Sequence, residues 1–81
     1  MISLQETLQD IAKAIVDSPD AVTVTQTEDD NTITLTLTVA PDDMGMVIGR
    51  HGKIAKAIRT VIKAASVNTG KKVIVDIEDQ K

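Results

Sequence analysis

An eight-residue run of strict alternation, residues 32–39, sets the fold more firmly than any other part of the sequence. Threonine fills every second position, and the positions between hold the apolar residues Ile33, Leu35, Leu37 and Val39. Successive side chains of a β-strand point to opposite faces. The run therefore predicts a strand with one face on a core and the other face in water.

Two further segments share this period of two. Val22 and Val24 alternate with threonine just before the run, and the turn-forming residues 28–31 separate the two segments, which predicts a hairpin. Near the end of the sequence, Val73, Val75 and Ile77 alternate with more polar positions. Three strands are therefore expected.

Helical periodicity marks the remaining segments. Residues 3–6 have the S-x-x-E form of a capping box, and Pro19 ends the helix that they begin. Its predicted apolar stripe is Leu4, Leu8, Ile11 and Ile15. A short helical turn follows Pro41, and in it Met44, Val47 and Ile48 share a side.

A long helix begins after Gly52 and is expected to stop near the left-handed cap residue Gly70. Its period of 3.6 predicts an inner stripe of Ile54, Ile58, Val61, Ile62 and Ala65. The basic residues of the opposite side are Lys53, Lys56, Arg59 and Lys63. The element order α-β-β-α-α-β predicts an α+β two-layer sandwich, in which helices cover one face of a three-stranded sheet.

Composition narrows the class of protein. The 81 residues have room for a single domain spanning 1–81, and with 0% aromatic residues the core must be aliphatic. The chain has no cysteine, which excludes disulfides and thiolate metal sites. Neither a secretory signal nor a run of about 20 apolar residues is visible, so a soluble domain in the cytoplasm, away from membranes, is expected.

The charges are separated along the chain. The net charge is −3, yet residues 44–75 contain seven of the nine basic residues and none of the twelve acidic ones. Salt screens charges over about 8–10 Å, so a polyanion near this segment meets mainly positive charge. The segment therefore favours a nucleic-acid partner, although lysines that only solvate a helix face would give the same composition.

The basic segment contains Gly49-Arg50-His51-Gly52, placed between two helices. Two positions without a Cβ let another backbone approach closely, and the second helix presents its N-terminal N–H groups there. Phosphates are the ligand that such a site favours. By itself G-x-x-G is a weak pattern, since two glycines also suit a sharp turn between helices.

The wider segment, residues 47–53, resembles the signature of the KH (hnRNP K homology) domain, and the element order is similar to the bacterial type II arrangement. Residues 42–61 are similar in particular to the small stand-alone KH proteins of bacteria, the KhpA (YlqC) family. Ala55 departs from the eukaryotic pattern, which has a larger aliphatic residue there. The resemblance extends over nearly the whole chain.

This resemblance implies a single-stranded RNA-binding protein whose GXXG loop clamps the phosphate backbone, with a role as RNA chaperone or post-transcriptional regulator. RNA is preferred over single-stranded DNA by this analogy alone. The implied RNA-binding residues are Ile48, Gly49, Arg50, His51, Gly52, Lys53, Ile54 and Lys56. Self-association, and pairing with a larger KhpB (Jag) type KH protein, are also implied; no cofactor is.

The sequence leaves two alternatives to RNA binding. A KH fold used for protein–protein association or dimerisation would leave the loop without a ligand, whereas both glycines and the flanking cations are present here. An enzyme is not expected, because one histidine and no cysteine give no recognisable nucleophile–base pair and no metal-ligand cluster.

Overall fold

The computed structural model describes residues 3–79, and for Asn68 its backbone alone. Lys81, which the charge balance counts, lies outside the described residues. The elements in chain order are α1 (Leu4–Ile15), β1 (Thr23–Glu28), β2 (Thr32–Val39), α2 (Met44–Ile48), α3 (Lys53–Ala65) and β3 (Lys72–Asp79). The predicted α+β order is confirmed.

The sheet has the strand order β1-β2-β3, so the alternating strand β2 lies at its centre. β1 runs antiparallel to β2, with Thr23 opposite Thr38, and β3 runs parallel to β2, with Thr32 opposite Lys72. The apolar residues of β2 are buried, and its threonines are half-buried on the other face. Helices therefore cover one face of the sheet, as predicted.

The core is entirely aliphatic. Its fully buried large side chains come from α1, β2, α2 and α3 and are Leu8, Leu35, Leu37, Val39, Val47 and Ile62. The Ser3 hydroxyl caps α1 by accepting a hydrogen bond from the Glu6 N–H at 3.0 Å, which is one half of the predicted capping box. None of the helices within residues 3–79 has the length and apolar character to cross a membrane.

The predicted inner stripe of α3 is partly wrong. Ile58 and Ile62 are buried as expected, but the third buried residue is Ala55. Three members of the predicted stripe are exposed instead, namely Ile54, Val61 and Ala65. Apolar residues occupy such a wide arc of this helix that periodicity alone does not fix which part of the arc meets the sheet. The arc that is buried contains Ala55, Ile58 and Ile62.

The prediction that Met44, Val47 and Ile48 share one side of α2 is also only partly correct. Val47 is buried, and Met44 packs against the core as a half-buried residue. Ile48 is 39% exposed. α2 has only five residues and ends at Ile48, so its last side chain lies beyond the part of the helix that contacts the core.

A buried carboxylate fixes the start of α2. Asp43 is 2% exposed and accepts hydrogen bonds from the backbone N–H groups of Asp17, at 3.3 Å, and Ser18, at 3.1 Å. These bonds join the connection after α1 to the turn before α2. From the sequence, Asp42 and Asp43 are interpreted as turn formers and helix starters; the structure shows that Asp43 is a buried tie between two elements.

Candidate nucleic-acid interface

The loop between α2 and α3, Arg50–Gly52, is entered through Gly49 and is not regular helix, because left-handed residues interrupt it. Gly49 has φ 74° and ψ 177°, a region that is essentially restricted to glycine. Gly52 has φ 75° and ψ 14°, in the left-handed region. His51, between them, also has a positive φ of 57°. This conformation turns the chain sharply from one helix into the next.

The two glycines differ in what surrounds them. A Cβ on Gly49 would lie 2.3 Å from Cγ1 and 2.9 Å from the backbone nitrogen of Ile54, so this loop position is closely packed against the first turn of α3. A Cβ on Gly52 would have no heavy atom within 4 Å. Gly49 therefore closes the loop onto the protein, whereas Gly52 leaves its outer surface open.

The N-terminus of α3 faces this open surface. Its N-cap residue is Gly52, and no side chain caps the first turn. The aligned peptide dipoles place roughly half a positive charge at such an end. Arg50, Lys53 and Lys56 are all exposed there.

Carboxylates do not neutralise these cations. Within residues 3–79, the only ion pair joins Lys71 to Glu28, and Lys71 also donates to the Asp29 carbonyl. That pair ties the loop before β3 to the β1–β2 hairpin. One of the seven cations of the basic segment thus has a structural role, and the cations of the α2–α3 loop keep their charge available.

A groove lies between α3 and the edge strand β3, with a volume of about 360 Å³. Its lining residues are Arg59, Ile62, Lys63, Val73, Ile74, Val75 and Asp76. Arg59 crosses from α3 to β3, where its Nε donates to the Val75 carbonyl at 3.5 Å. The resemblance also implies an apolar groove between the helices and a neighbouring strand, with Ile48 and Ile54 as lining residues, but it does not select Arg59. Its position seven residues after Gly52, two turns along the same helix, is the signal that points to it.

The two predicted lining residues are separated by the fold. Ile48 is exposed at the end of α2, directly before Gly49. Ile54 lies on the opposite flank of α3 from Arg59, 37% exposed, in a second groove between α1 and α3. The lining of that second groove is aliphatic throughout: Ile11, Ile15, Ile54, Ala57, Ile58 and Val61. Ile54 thus supports the loop from the first turn of α3, through its contact with Gly49. It does not line the α3–β3 groove.

Comparison with known proteins gives concordant matches. The family model described as KhpA/KhpB, KH domain, matches residues 5–77. RNA-binding protein KhpA of Clostridium acetobutylicum is 54% identical over 74 residues, which cover 91% of this chain and 99% of that protein. RNA-binding protein KhpA of Caldanaerobacter subterraneus subsp. tengcongensis is 53% identical over 72 residues, covering 89% of this chain and 96% of that protein.

A solved structure of Aquifex aeolicus Era has a TM-score of 0.71 to this chain at 15% sequence identity. The match covers 95% of this chain and 30% of the Era chain. At this identity the likeness shows the shared fold alone.

Proposed function

The chain belongs to the KhpA/KhpB family of KH domains, and we propose that it binds single-stranded RNA, with the sugar–phosphate backbone held at the α2–α3 loop. The relatives named RNA-binding proteins support the class of ligand. The proposed contact residues are those that the resemblance implies: Ile48, Gly49, Arg50, His51, Gly52, Lys53, Ile54 and Lys56. The role of Ile54 in this set is to support Gly49.

The loop offers two kinds of contact to phosphate. The N–H groups of Gly52 and Lys53 donate to the carbonyls of Gly49 and Arg50 within the loop, so those offered to phosphate follow Lys53 in the first turn of α3, which no side chain caps. The approach beside Gly52 is open, because a Cβ there would have no heavy atom within 4 Å. Arg50 and Lys53 supply charge next to them, and Lys56 extends it by one helical turn. The observation that carries the proposal is the coincidence of an open helix N-terminus without a side-chain cap and three cations that form no ion pair within residues 3–79.

The bases of the bound strand lie along the α3–β3 groove. The half-buried Val73 and the exposed Ile74 give it apolar surface, so bases pack there against aliphatic groups. The absence of aromatic residues excludes the stacking platforms on which other single-strand-binding folds depend. Neutralising three phosphates gives a slope of about −2 in a plot of log affinity against log salt concentration. One copy therefore binds weakly.

A double substitution that adds negative charge to the loop tests the proposal. Arg50→Asp with His51→Asp puts two carboxylates beside the phosphate path, and Asp tolerates the left-handed conformation of residue 51 better than most residues do. We expect fluorescence anisotropy to show loss of binding to a labelled unstructured RNA heptamer, with unchanged helical circular dichroism.

A control variant with the same change in net charge, Lys13→Glu with Thr25→Glu, changes exposed residues of α1 and β1 and should keep RNA binding. Equal RNA affinity of the loop variant and the parent protein would show that the loop does not bind RNA.

The groove between α1 and α3 favours a second candidate function, association with another copy of the chain. Its walls are aliphatic throughout, and Val61, 48% exposed, projects from it. A symmetric pair would insert the ridge of each α3 into the groove of the other copy. Sedimentation equilibrium should show a dimer that Val61→Lys dissociates, whereas the neighbouring exposed change Thr60→Lys leaves it intact. A monomeric parent protein would contradict this candidate.

Several finer expectations stay predictions. They are the role as RNA chaperone or regulator, pairing with a KhpB-type protein, the single domain over residues 1–81, the cytoplasmic location and the absence of catalysis.

A further inference from the structure

The strand β1 forms the edge of the sheet that lies opposite to β3. Asp29 continues the β1–β2 register beyond the strand, and its N–H donates to the Thr32 carbonyl at 2.9 Å. The odd-numbered positions of β1 therefore bond to β2. In an antiparallel pair, the positions between them point their N–H and C=O groups away from the partner strand. Val24, Gln26 and Glu28 thus present backbone groups at the open edge.

A side chain of α1 occupies one of these edge groups. The Nε2 of Gln5 donates to the Val24 carbonyl at 2.6 Å, across nineteen positions of sequence. Within residues 3–79, no other side chain forms a hydrogen bond with the backbone of β1. Gln5 lies in the first turn of α1 and is half-buried, so its side chain is held against the strand. The Val24 carbonyl is therefore already bonded when another strand approaches.

The rest of β1 lacks the common protection of an edge strand. Charged residues, proline and β-bulges hinder the pairing of natural edge strands with another chain. Residues 21–27 contain no charged residue and no proline, and the β1–β2 register runs without a bulge. The other edge differs, because four of the eight residues of β3 are charged. β1 is therefore the edge that depends on the hydrogen bond from α1.

A second copy of β1 matches this edge. When the two strands are antiparallel with Gln26 opposite Gln26, Val24 of each copy lies opposite Glu28 of the other, and no two charged residues are opposed. Each of these opposed pairs exchanges two hydrogen bonds. The Val24 carbonyl accepts one of them in both outer pairs, and this is the group that Gln5 occupies.

We propose that Gln5 closes the β1 edge against pairing with β1 of a second copy, and so prevents two sheets from joining into one. The inference does not depend on RNA binding, because the α2–α3 loop and the α3–β3 groove contain no residue of β1. The alternative role for Gln5 is to fasten α1 to the sheet, which would stabilise the fold without an effect on association.

Gln5→Met tests the proposal, because methionine has a similar length and helix propensity but no donor. Every protein in the test also carries Val61→Lys, so that the α1–α3 groove does not contribute to association, and the reference is Val61→Lys alone. We expect sedimentation velocity to show association of Gln5→Met at concentrations about tenfold lower than for the reference. Gln9→Met, at a half-buried position one turn later in α1, should sediment as the reference does.

A second substitution distinguishes pairing at the edge from a loss of stability. Gln26→Pro removes an N–H of the edge but no bond to β2, because the backbone groups of residue 26 point away from β2, and edge strands tolerate proline at such positions. Added to Gln5→Met, it should return sedimentation to that of the reference, although it does not restore the bond from Gln5.

The other outcomes refute the proposal. If Gln5→Met sediments as the reference does, the bond does not control association. If Gln5→Met associates and Gln26→Pro leaves that association unchanged, the copies do not pair through the β1 edge. Circular dichroism checks that each variant is folded, and Gln5→Leu is a second variant without a donor. Unfolding of both Gln5→Met and Gln5→Leu would show that Gln5 fastens α1 to the sheet instead.

Discussion

Replacing Gly49 and Gly52 by alanine, one at a time, distinguishes two reasons why a loop position needs glycine. One is the lack of space for a Cβ, and the other is a backbone conformation that is unfavourable for other residues. At Gly49 the new Cβ meets Ile54 at 2.3 Å and 2.8 Å from side-chain carbons and at 2.9 Å from the backbone nitrogen. Side-chain rotation can move Cγ1 of Ile54, but its Cβ and its nitrogen are fixed by the backbone of α3. At Gly52 the new Cβ meets nothing within 4 Å, so only backbone conformation opposes the change.

The expected loss in free energy of unfolding follows from two costs, the backbone conformation of alanine and its overpacking against Ile54. The left-handed conformation costs an alanine about 1–2 kcal/mol, which is the whole effect expected for Gly52→Ala. Gly49 adopts a region that is less accessible to alanine, at a cost of about 1–3 kcal/mol. Overpacking against α3 adds about 1–3 kcal/mol to that. Gly49→Ala is thus expected to lower the free energy of unfolding by about 2–6 kcal/mol, out of a total of about 4–12 kcal/mol for 81 residues.

Urea unfolding followed by circular dichroism measures these changes, because the chain has no aromatic residue for fluorescence. A loss of 3 kcal/mol lowers the urea midpoint by about 1–3 M. Gly45→Ala is the matched control: this glycine lies in α2 with open space around it, and alanine there should raise stability by up to about 1 kcal/mol. Equal midpoints for Gly49→Ala and Gly52→Ala would refute the close packing of Gly49 on Ile54.

Two further changes test contacts that hold the elements in place. Asp43→Ala removes the buried acceptor of two backbone N–H groups, and we expect urea unfolding to show a loss of about 2 kcal/mol, against less than about 0.5 kcal/mol for the exposed neighbour in Asp42→Ala. If Asp43→Ala loses no more free energy of unfolding than Asp42→Ala, the two hydrogen bonds of Asp43 do not stabilise the fold. Lys71→Met breaks the partly exposed pair with Glu28 and should cost less than about 1 kcal/mol in the same assay; a larger loss would mean that the hairpin depends on this pair.

Local patterns predicted most of this fold. The alternation of residues 32–39 predicts β2 and its buried apolar face, and the capping residue Ser3 marks the start of α1. The side of α3 that meets the sheet was not predictable in the same way. Val61 and Ile62 are both apolar. Which of them is buried depends on how α1 and the strands pack against α3.

In the candidate site, too, some features are predictable from residues close in sequence, and others depend on how the elements pack. The glycine pattern and the neighbouring cations identify the loop from residues close in sequence. The contact of Arg59 with Val75 spans sixteen positions, and it depends on β3 lying parallel to β2 at the edge of the sheet. The separation of Ile54 from the α3–β3 groove likewise depends on where α1 packs. Residues that are distant in sequence meet at both places, so a local pattern does not reveal them.

The two grooves lie on opposite flanks of α3, so the RNA surface and the dimer surface that we propose do not coincide. A dimer would carry two RNA sites, each weak alone, and the second site would then bind its RNA segment at a high effective concentration. We expect a dimeric parent protein to bind an RNA with two heptamer segments joined by a flexible spacer at least tenfold more tightly than one heptamer. Val61→Lys should remove this gain while keeping the affinity for the single heptamer. If the gain persists in a monomeric Val61→Lys protein, the two segments do not bridge two copies, and the grooves act independently of association.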